Sequence, residues 1–151
     1  MKIAIYPGSF NPIHEGHIDI IRQTRMIFDK VIIARGINPN KEYSYKNLKF
    51  QSLIFNDYLW NKCIKYNYID NNIQGKIFQG LFRDFIIDLK SSPEAIIKGL
   101  RNGQDFEYEK NQQYWNEDLG ISIPTFYIIS NRNLCHISSS AIRGLEKFKG
   151  D

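Results

Sequence analysis

Short, wholly apolar runs alternate along the chain with segments in which apolar residues recur at helical spacing. The apolar runs cover residues 3–6, 31–34, 95–97 and 126–129. A continuous run of this kind is typical of a parallel strand that is buried on both faces. The helical spacing predicts five helices, at residues 18–28, 48–60, 81–89, 105–119 and 138–148.

The pattern also predicts finer features within and between these segments. The stretch 64–79 is rich in Asn and Tyr, and within it only residues 77–78 indicate a short strand. The final helix is expected to be capped by the hydroxyl of Ser138 or Ser139. The buried stripe of the first helix is expected to contain Ile20, Ile21, Ile27 and Phe28.

The alternation of strand and helix predicts an α/β fold with a doubly wound parallel sheet. The sequence has no repeat or linker, so residues 1–151 are expected to form a single domain. Ligands of such sheets bind beyond the carboxyl ends of the strands. Polar side chains and glycines do follow the four strands: Gly8, Ser9, His14 and His17; Arg35, Asn38, Asn40 and Lys41; Lys98, Gly99, Arg101, Asn102 and Asp105; Asn131, Arg132, His136, Ser138, Ser139 and Ser140.

The stretch 6–17 carries the clearest chemical signal. It runs from the first strand through a Gly-containing turn into a helix start that bears His14 and His17. Such a turn lets backbone N–H groups approach an anion, and the helix N-terminus adds its positive dipole end. Three residues apart on a helix, the two histidines point the same way. The alternative is that the glycines only make turns and the histidines only cap the helix.

Composition removes several other classes of protein. The net charge is +4, which suits an anionic ligand, but no long basic run marks nucleic acid as the main partner. No apolar run reaches the roughly 18 residues of a membrane span. Cys63 and Cys135 are isolated and form no metal or disulfide pattern. The chain begins without the apolar segment of a secretory signal, and we expect a cytoplasmic protein.

Several reactions lack their sequence signature here. The chain has no P-loop, no dinucleotide-binding glycine pattern after the first strand and no Gly-x-Ser-x-Gly elbow. The two histidines lack a third ligand for zinc. Transfer of a nucleotidyl or phosphoryl group needs mainly alignment and positive charge, which His17, Lys41, Lys98 and Arg101 could supply. The triplet 138–140 offers hydroxyls and N–H groups to a phosphate, or it only caps its helix.

Three motifs resemble the phosphopantetheine adenylyltransferase family. Residues 6–21 resemble the opening of that family, with Tyr-Pro-Gly-Ser-Phe-Asn-Pro followed by Gly-His-Ile-Asp-Ile-Ile. Lys-Gly-Leu-Arg at 98–101, followed by Asp-Phe-Glu-Tyr-Glu at 105–109, resembles its central motif and is the most specific element. Ile-Ser-Ser-Ser at 137–140 resembles its C-terminal motif, and Asn-Pro-Asn-Lys at 38–41 fits the loop between.

The resemblance implies a Rossmann-like nucleotidyltransferase domain that transfers AMP from ATP to 4′-phosphopantetheine, with Mg²⁺, in a homo-oligomer that is typically hexameric. By the same resemblance, the catalytic residues would be His17, Lys41 and Arg101, and the phosphopantetheine-binding residues Ser9, Lys41, Leu81, Phe82 and Lys98. The ATP-binding residues would be Ser9, Phe10, His14, His17, Gly99, Leu100, Arg101, Glu109, Leu134, Cys135, His136, Ile137, Ser138, Ser139 and Ser140.

Some positions depart from the family. Lys98 stands where the family usually has Arg, and a lysine lacks the bidentate fork of an arginine. His14 stands where Thr is common, Gly80 where an acidic residue is common, and the chain ends early. Two alternatives therefore stay open. One is an adenylyltransferase for nicotinate or nicotinamide mononucleotide, and the other is a nucleotide-binding homologue without turnover.

Overall fold

Strands and helices alternate along the chain in this computed structural model, which describes residues 1–37 and 48–149. The strands are β1 (Ile3–Gly8), β2 (Lys30–Ile37), β3 (Ile73–Gln79), β4 (Ala95–Leu100) and β5 (Thr125–Ile129). The helices are α1 (Glu15–Arg25), α2 (Leu48–Lys65), α3 (Phe82–Asp88), α4 (Gly103–Asp118) and α5 (Ser139–Lys149), and a 3₁₀ turn covers Arg132–Leu134. Within these residues no helix is both long enough and apolar enough to cross a bilayer.

The strands form one parallel sheet in the order β3-β2-β1-β4-β5. The order reverses between β1 and β4, which are neighbours in the sheet although two strands separate them along the chain. Strand β1 pairs with β2 along its whole length, but with β4 only at Ala4 and Ile5. Beyond Ile5 the strands β1 and β4 no longer pair with each other, and a crevice opens between their carboxyl ends, where such sheets bind ligands.

Apolar residues of the central strands are buried on both faces of the sheet, as the continuous runs predict. Ile33 and Ile97 belong to the cluster that α1 and α2 cover, whereas Ile32 and Ile96 belong to the cluster on the opposite face. All four side chains are at most 1% exposed. Because removing this apolar area from water is the main stabilising contribution, the core fixes the strand ends that carry the polar residues.

The first helix differs from its predicted bounds. It begins at Glu15 and ends at Arg25, so Ile27 lies in the following turn and is 56% exposed. The prediction that Ile27 belongs to the buried stripe is wrong, because the end of α1 tightens, with the N–H of Met26 bonded to Gln23 O and that of Ile27 bonded to Thr24 O, and Ile27 turns outward. Ile20, Ile21 and Phe28 are buried as expected, Phe28 against the ring of Phe126.

Strand β3 is longer than the two residues that the sequence indicates. Its inner positions lie against α2, where the N–H of Gly75 donates to Asn56 Oδ1 at 2.7 Å. A Cβ at Gly75 would lie 3.0 Å from the Phe55 ring, so glycine allows this close approach. The strand is at the edge of the sheet, and its polar residues Gln74, Lys76 and Gln79 interrupt any continuous apolar run. The sequence pattern therefore did not predict its full length.

Candidate active site

A cavity of about 510 Å³ occupies the crevice between the carboxyl ends of β1 and β4. The first turns of α1, α4 and α5 complete its walls. The polar residues that line it are Ser9, His14, His17, Lys98, Arg101, Asp105, Tyr108, Glu109, Ser130, Ser138, Ser139, Ser140 and Arg143. The cavity is therefore rich in hydrogen-bond donors and in positive charge, as expected for a site that receives phosphate groups.

The turn between β1 and α1 is held by the ring of Phe10. This residue is 2% exposed, and its ring makes edge contacts with Tyr6 and with His17 at centroid distances of 5.1 and 4.9 Å. Its backbone has a φ of 48°, in the left-handed region that costs a side chain about 1–2 kcal/mol. The packing of the ring offsets this strain and orients the turn towards the cavity.

His14 and His17 lie together at the start of α1, as their spacing predicts. Their rings stack with 3.8 Å between the centroids, and the backbone N–H of His14 donates to His17 Nδ1 at 3.0 Å. Because Nδ1 is the acceptor, the proton of the neutral ring lies on Nε2, which is then a hydrogen-bond donor. A Cβ at position 16 would lie 2.9 Å from His14 Cε1, so glycine at this position makes room for the ring.

Both imidazoles are neutral at pH 7. Burial lowers the pKa of His17 to about 3, and the neighbouring His14 and Arg101 add to the effect. Burial, together with the charges of Arg101 and Lys62, lowers the pKa of His14 to about 4. A neutral imidazole keeps one N–H, which can donate a hydrogen bond to a phosphate oxygen.

The two cations at the carboxyl end of β4, Lys98 within the strand and Arg101 directly after it, are each paired with an acid of α4. Lys98 Nζ lies 3.1 Å from Glu109 Oε2. Arg101 forms a forked pair with Asp105, with Nε to Oδ2 at 2.9 Å and Nη2 to Oδ1 at 3.0 Å. The acids stand four residues apart, which places them on one face of α4.

The C-terminal serine triplet is fixed against the turn after β1. Ser138 Oγ accepts from the N–H of Ala141 at 3.1 Å, which confirms the predicted cap. Ser139 Oγ donates to Pro12 O at 2.9 Å, and the Arg143 guanidinium donates to Asn11 O. The N-terminus of α5 therefore faces the same cavity as the N-terminus of α1.

The loop before this triplet is tied to α1 through a buried carboxylate. Asp19 is 7% exposed, and its Oδ2 accepts from the N–H of Asn131 at 2.9 Å and from Gln23 Nε2 at 2.9 Å. The side chain of Gln23 also donates to Ile129 O at 3.1 Å. The end of β5 and the loop beyond it are thereby held beside α1.

Most of the residues predicted from the sequence meet in the cavity. Those that line it are Ser9, Phe10, His14, His17, Lys98, Gly99, Arg101, Glu109, Leu134, Ile137, Ser138, Ser139 and Ser140. Those that do not line it are Leu81, Phe82, Leu100, Cys135 and His136. Leu81 and Phe82 lie beyond the end of β3, where Phe82 contacts the ring of Phe78 at 5.5 Å. Lys41, Asn38 and Asn40 lie outside the described residues.

Sequence reasoning gave no catalytic or binding role to five polar residues that line the cavity, which are Tyr6, Asp105, Tyr108, Ser130 and Arg143, although it placed Asp105 after the third strand. Spacing could have found two of them. Asp105 lies four residues after Arg101, and Arg143 lies three after Ser140 on a predicted helix. No group of three or more His, Cys, Asp or Glu side chains suited to a metal ion occurs in the part of the chain that is described.

Residues 5–145 match the protein family described as cytidylyltransferase-like. The chain is 40% identical over 152 residues to the phosphopantetheine adenylyltransferase of Clostridium perfringens, with 100% of this chain and 85% of that protein covered. It is 40% identical to the phosphopantetheine adenylyltransferase of Cytophaga hutchinsonii, with 99% and 93% covered. The protein of the same name from Alkaliphilus metalliredigens is 38% identical, with 100% and 89% covered.

Two solved structures share the fold at low identity. One is a Vibrio parahaemolyticus protein assigned as a nicotinate-nucleotide adenylyltransferase, with a TM-score of 0.54, 16% identity and 95% of this chain and 86% of that chain covered. The other is pantoate-beta-alanine ligase from Francisella tularensis, with a TM-score of 0.51, 15% identity and 94% and 65% covered. These similarities concern the α/β Rossmann-like fold alone.

Proposed function

The chain belongs to the phosphopantetheine adenylyltransferase family, and we propose that it transfers the adenylyl group of ATP to the phosphate of 4′-phosphopantetheine. A phosphate oxygen of the acceptor would bond to the α-phosphorus, and the bond from that phosphorus to the pyrophosphate oxygen would break. The products are dephospho-coenzyme A and pyrophosphate. The observation that carries the proposal is the full-length identity of 40% to proteins of this name.

In this proposal His17 is the catalytic residue at the α-phosphate. Its neutral ring has Nδ1 engaged by the N–H of His14, which supports Nε2–H as a donor towards the cavity. Negative charge on the oxygens of the α-phosphate must be stabilised in the transition state. A fixed donor in a site screened from water stabilises that charge more than water does.

The cations are proposed to hold the phosphates before and during the transfer. Lys98, with Lys41 and Ser9, would bind the phosphate of the acceptor, and Arg101 would bind phosphates of ATP. Lys98 lies beside Glu109 at 3.1 Å, so its ammonium is already held at the cavity wall. Alignment of the two phosphates is the main requirement of this chemistry.

The remaining predicted residues fall into a nucleotide side and an acceptor side. The N-terminus of α5, with the serines of 138–140, and the Gly99–Leu100 segment are proposed to bind ATP, together with residues 134–137. Leu81, which is 52% exposed, and Phe82 offer apolar surface beyond the end of β3 for the pantetheine arm. Both lie outside the cavity itself, and the arm is proposed to extend from the cavity towards them.

Three further features are proposals of the same kind. The divalent cation is proposed to be Mg²⁺ carried by the phosphates of ATP, because the cavity acids Asp105 and Glu109 are paired with cations of the chain. A homo-oligomer is supported by α4, which buries no residue and leaves the rings of Trp115 and Tyr114 65% and 54% exposed. A cytoplasmic location and a single domain over residues 1–151 complete the proposal.

The experiment that tests the function is pyrophosphate release with ATP, Mg²⁺ and three acceptors. We expect phosphopantetheine to be used at least ~10-fold more efficiently than nicotinate or nicotinamide mononucleotide, a gap of about 1.4 kcal/mol in transition-state binding. A preference for either pyridine nucleotide, which His14 in the first motif would favour, contradicts the proposed acceptor. Binding of ATP without release from any acceptor would instead indicate a homologue without turnover.

A further inference from the structure

Both carboxylate oxygens of Asp105 accept hydrogen bonds from Arg101. Its Oδ2 accepts from the backbone N–H of Arg101 at 2.9 Å and from Nε at 2.9 Å, and its Oδ1 accepts from Nη2 at 3.0 Å. Charge-assisted forked pairs of this kind fix both the position and the plane of a guanidinium. Asp105 itself is not among the residues to which the sequence assigned binding or catalysis.

This arrangement is not explained by the needs of the helix. An acid in the first turn of a helix often serves as its cap, but α4 is capped by Asn102, whose Oδ1 accepts from the N–H of Asp105 at 2.9 Å. The carboxylate of Asp105 is therefore directed away from the helix end and back to the strand end. The side chain of Asp105 joins the start of α4 to Arg101 at the end of β4, and Arg101 lines the cavity.

Arg101 needs such a support because its side chain is long and 37% exposed at the mouth of the cavity. Without a partner, the guanidinium would sample many rotamers in water, and ordering it would oppose ligand binding. The pair leaves Nη1 of Arg101 without a hydrogen bond to any part of the chain that the structure describes. An anion in the cavity can therefore approach one edge of the guanidinium while Asp105 holds the other.

The ionisation of the two groups is consistent with a standing ion pair. Burial alone would raise the pKa of the Asp105 carboxyl, but hydrogen bonds from the side chain and backbone of Arg101 outweigh it and the pKa is lowered. The hydrogen bond to Asp105 raises the pKa of Arg101. Both groups are charged throughout the neutral range, so the pair is present whenever the nucleotide binds.

We propose that Asp105 is a positioning residue that holds Arg101 for the phosphates of ATP. This inference rests on the proposed function, since it takes ATP as the anion that Arg101 meets. The effect of a positioning carboxylate on the affinity for ATP is opposite to that of a carboxylate that competes with ATP for Arg101. A carboxylate that merely neutralised Arg101 would weaken the binding of ATP, whereas a carboxylate that positions the guanidinium strengthens it.

Calorimetric titration of Mg²⁺–ATP into the full chain, without acceptor, shows whether the carboxylate weakens or strengthens the binding of ATP. We expect D105N, which keeps the shape but not the charged fork, to bind ATP about 10-fold more weakly, equivalent to about 1.4 kcal/mol. D105E keeps the charge and should bind within about threefold of the unsubstituted chain. The matched control is E107Q, because Glu107 also forms an ion pair on α4, at 3.0 Å to Lys110, and its side chain is 65% exposed.

A second comparison shows whether Asp105 acts through Arg101. In the R101A background, D105N should leave the affinity for ATP unchanged, because the group it positions is absent. Tighter or equal ATP binding by D105N alone, or an equal loss in both backgrounds, overturns the inference. Should D105N fail to fold, a D105E that binds as weakly as R101A overturns it as well.

The two proposals fail in different ways. If the unsubstituted chain binds ATP and D105N weakens it, but phosphopantetheine releases no pyrophosphate, the proposed acceptor is wrong and the role of Asp105 stands. If phosphopantetheine is adenylylated and D105N keeps its affinity for ATP, the function stands and the role of Asp105 is wrong. An unsubstituted chain that binds no ATP contradicts both.

Discussion

Lowering the pH from 7.5 to 5.0 is expected to destabilise the native state through the stacked pair of His14 and His17. Both pKa values are lowered from the ordinary 6.5, to about 4 and about 3, first of all by burial. In the unfolded chain the same groups return to about 6.5. Between these values the unfolded chain binds protons that the native chain does not, so stability is present above pH 6.5 and is lost as the pH falls.

The size of the loss in unfolding free energy follows from how far the pH lies below the pKa of the unfolded histidines. At pH 5.0 each unfolded histidine is about 1.5 pH units below its pKa, and at about 1.36 kcal/mol per unit the loss is about 2 kcal/mol for each group that stays neutral in the native state. The pair therefore accounts for about 2–4 kcal/mol, the lower value applying if only one ring excludes its proton. Carboxylates contribute little in this window because their unfolded pKa values are about 3.9–4.3.

Urea unfolding followed by far-ultraviolet circular dichroism at several pH values between 7.5 and 5.0 measures this loss. His17→Asn removes one of the two groups and should reduce the pH dependence of the unfolding free energy by about half. The matched control is His136→Gln, because His136 is exposed and should leave the pH dependence unchanged. An unfolding free energy that differs by less than about 0.5 kcal/mol between the two limits would refute the burial of neutral imidazoles at this site.

Three further outcomes are expected. His17→Ala should lower turnover by about 10²–10³ with little change in ATP affinity by calorimetry, because the ring acts on charge that develops in the transition state; near-normal turnover would exclude that role. Lys98→Ala, and Lys41→Ala in the segment outside the described residues, should weaken the acceptor more than ATP. Lys98→Arg should retain acceptor binding, and comparable loss of both substrates in Lys98→Ala would contradict the assignment. Gly99→Ala should cost about 1–3 kcal/mol in urea unfolding, because its Cβ would lie 3.0 Å from Ile20 Cγ1, whereas Gly103→Ala, with open space around it, should not.

The sequence by itself determined the order of the elements and, to within two residues, where most of them begin. Continuous apolar runs located four of the five strands among the described residues, because a strand buried on both faces carries no polar residue. Helical spacing placed His14 and His17 on one side of α1, and hydroxyl chemistry placed the cap of α5 at Ser138 or Ser139, of which the structure shows Ser138. These features depend on residues within one or two turns of each other, which is the range over which periodicity and capping act.

Only the tertiary structure decided which strand ends meet and how their side chains pair. The order β3-β2-β1-β4-β5 makes β1 and β4 neighbours, and Arg143 reaches Asn11 across 132 positions of the chain. The exposure of Ile27 and the length of β3 likewise depended on where the chain turned and on what packed against it. The lowered pKa values of the two histidines arise from burial, and the pairing of Lys98 with Glu109 from a distance of 3.1 Å between strand and helix, which local periodicity does not specify.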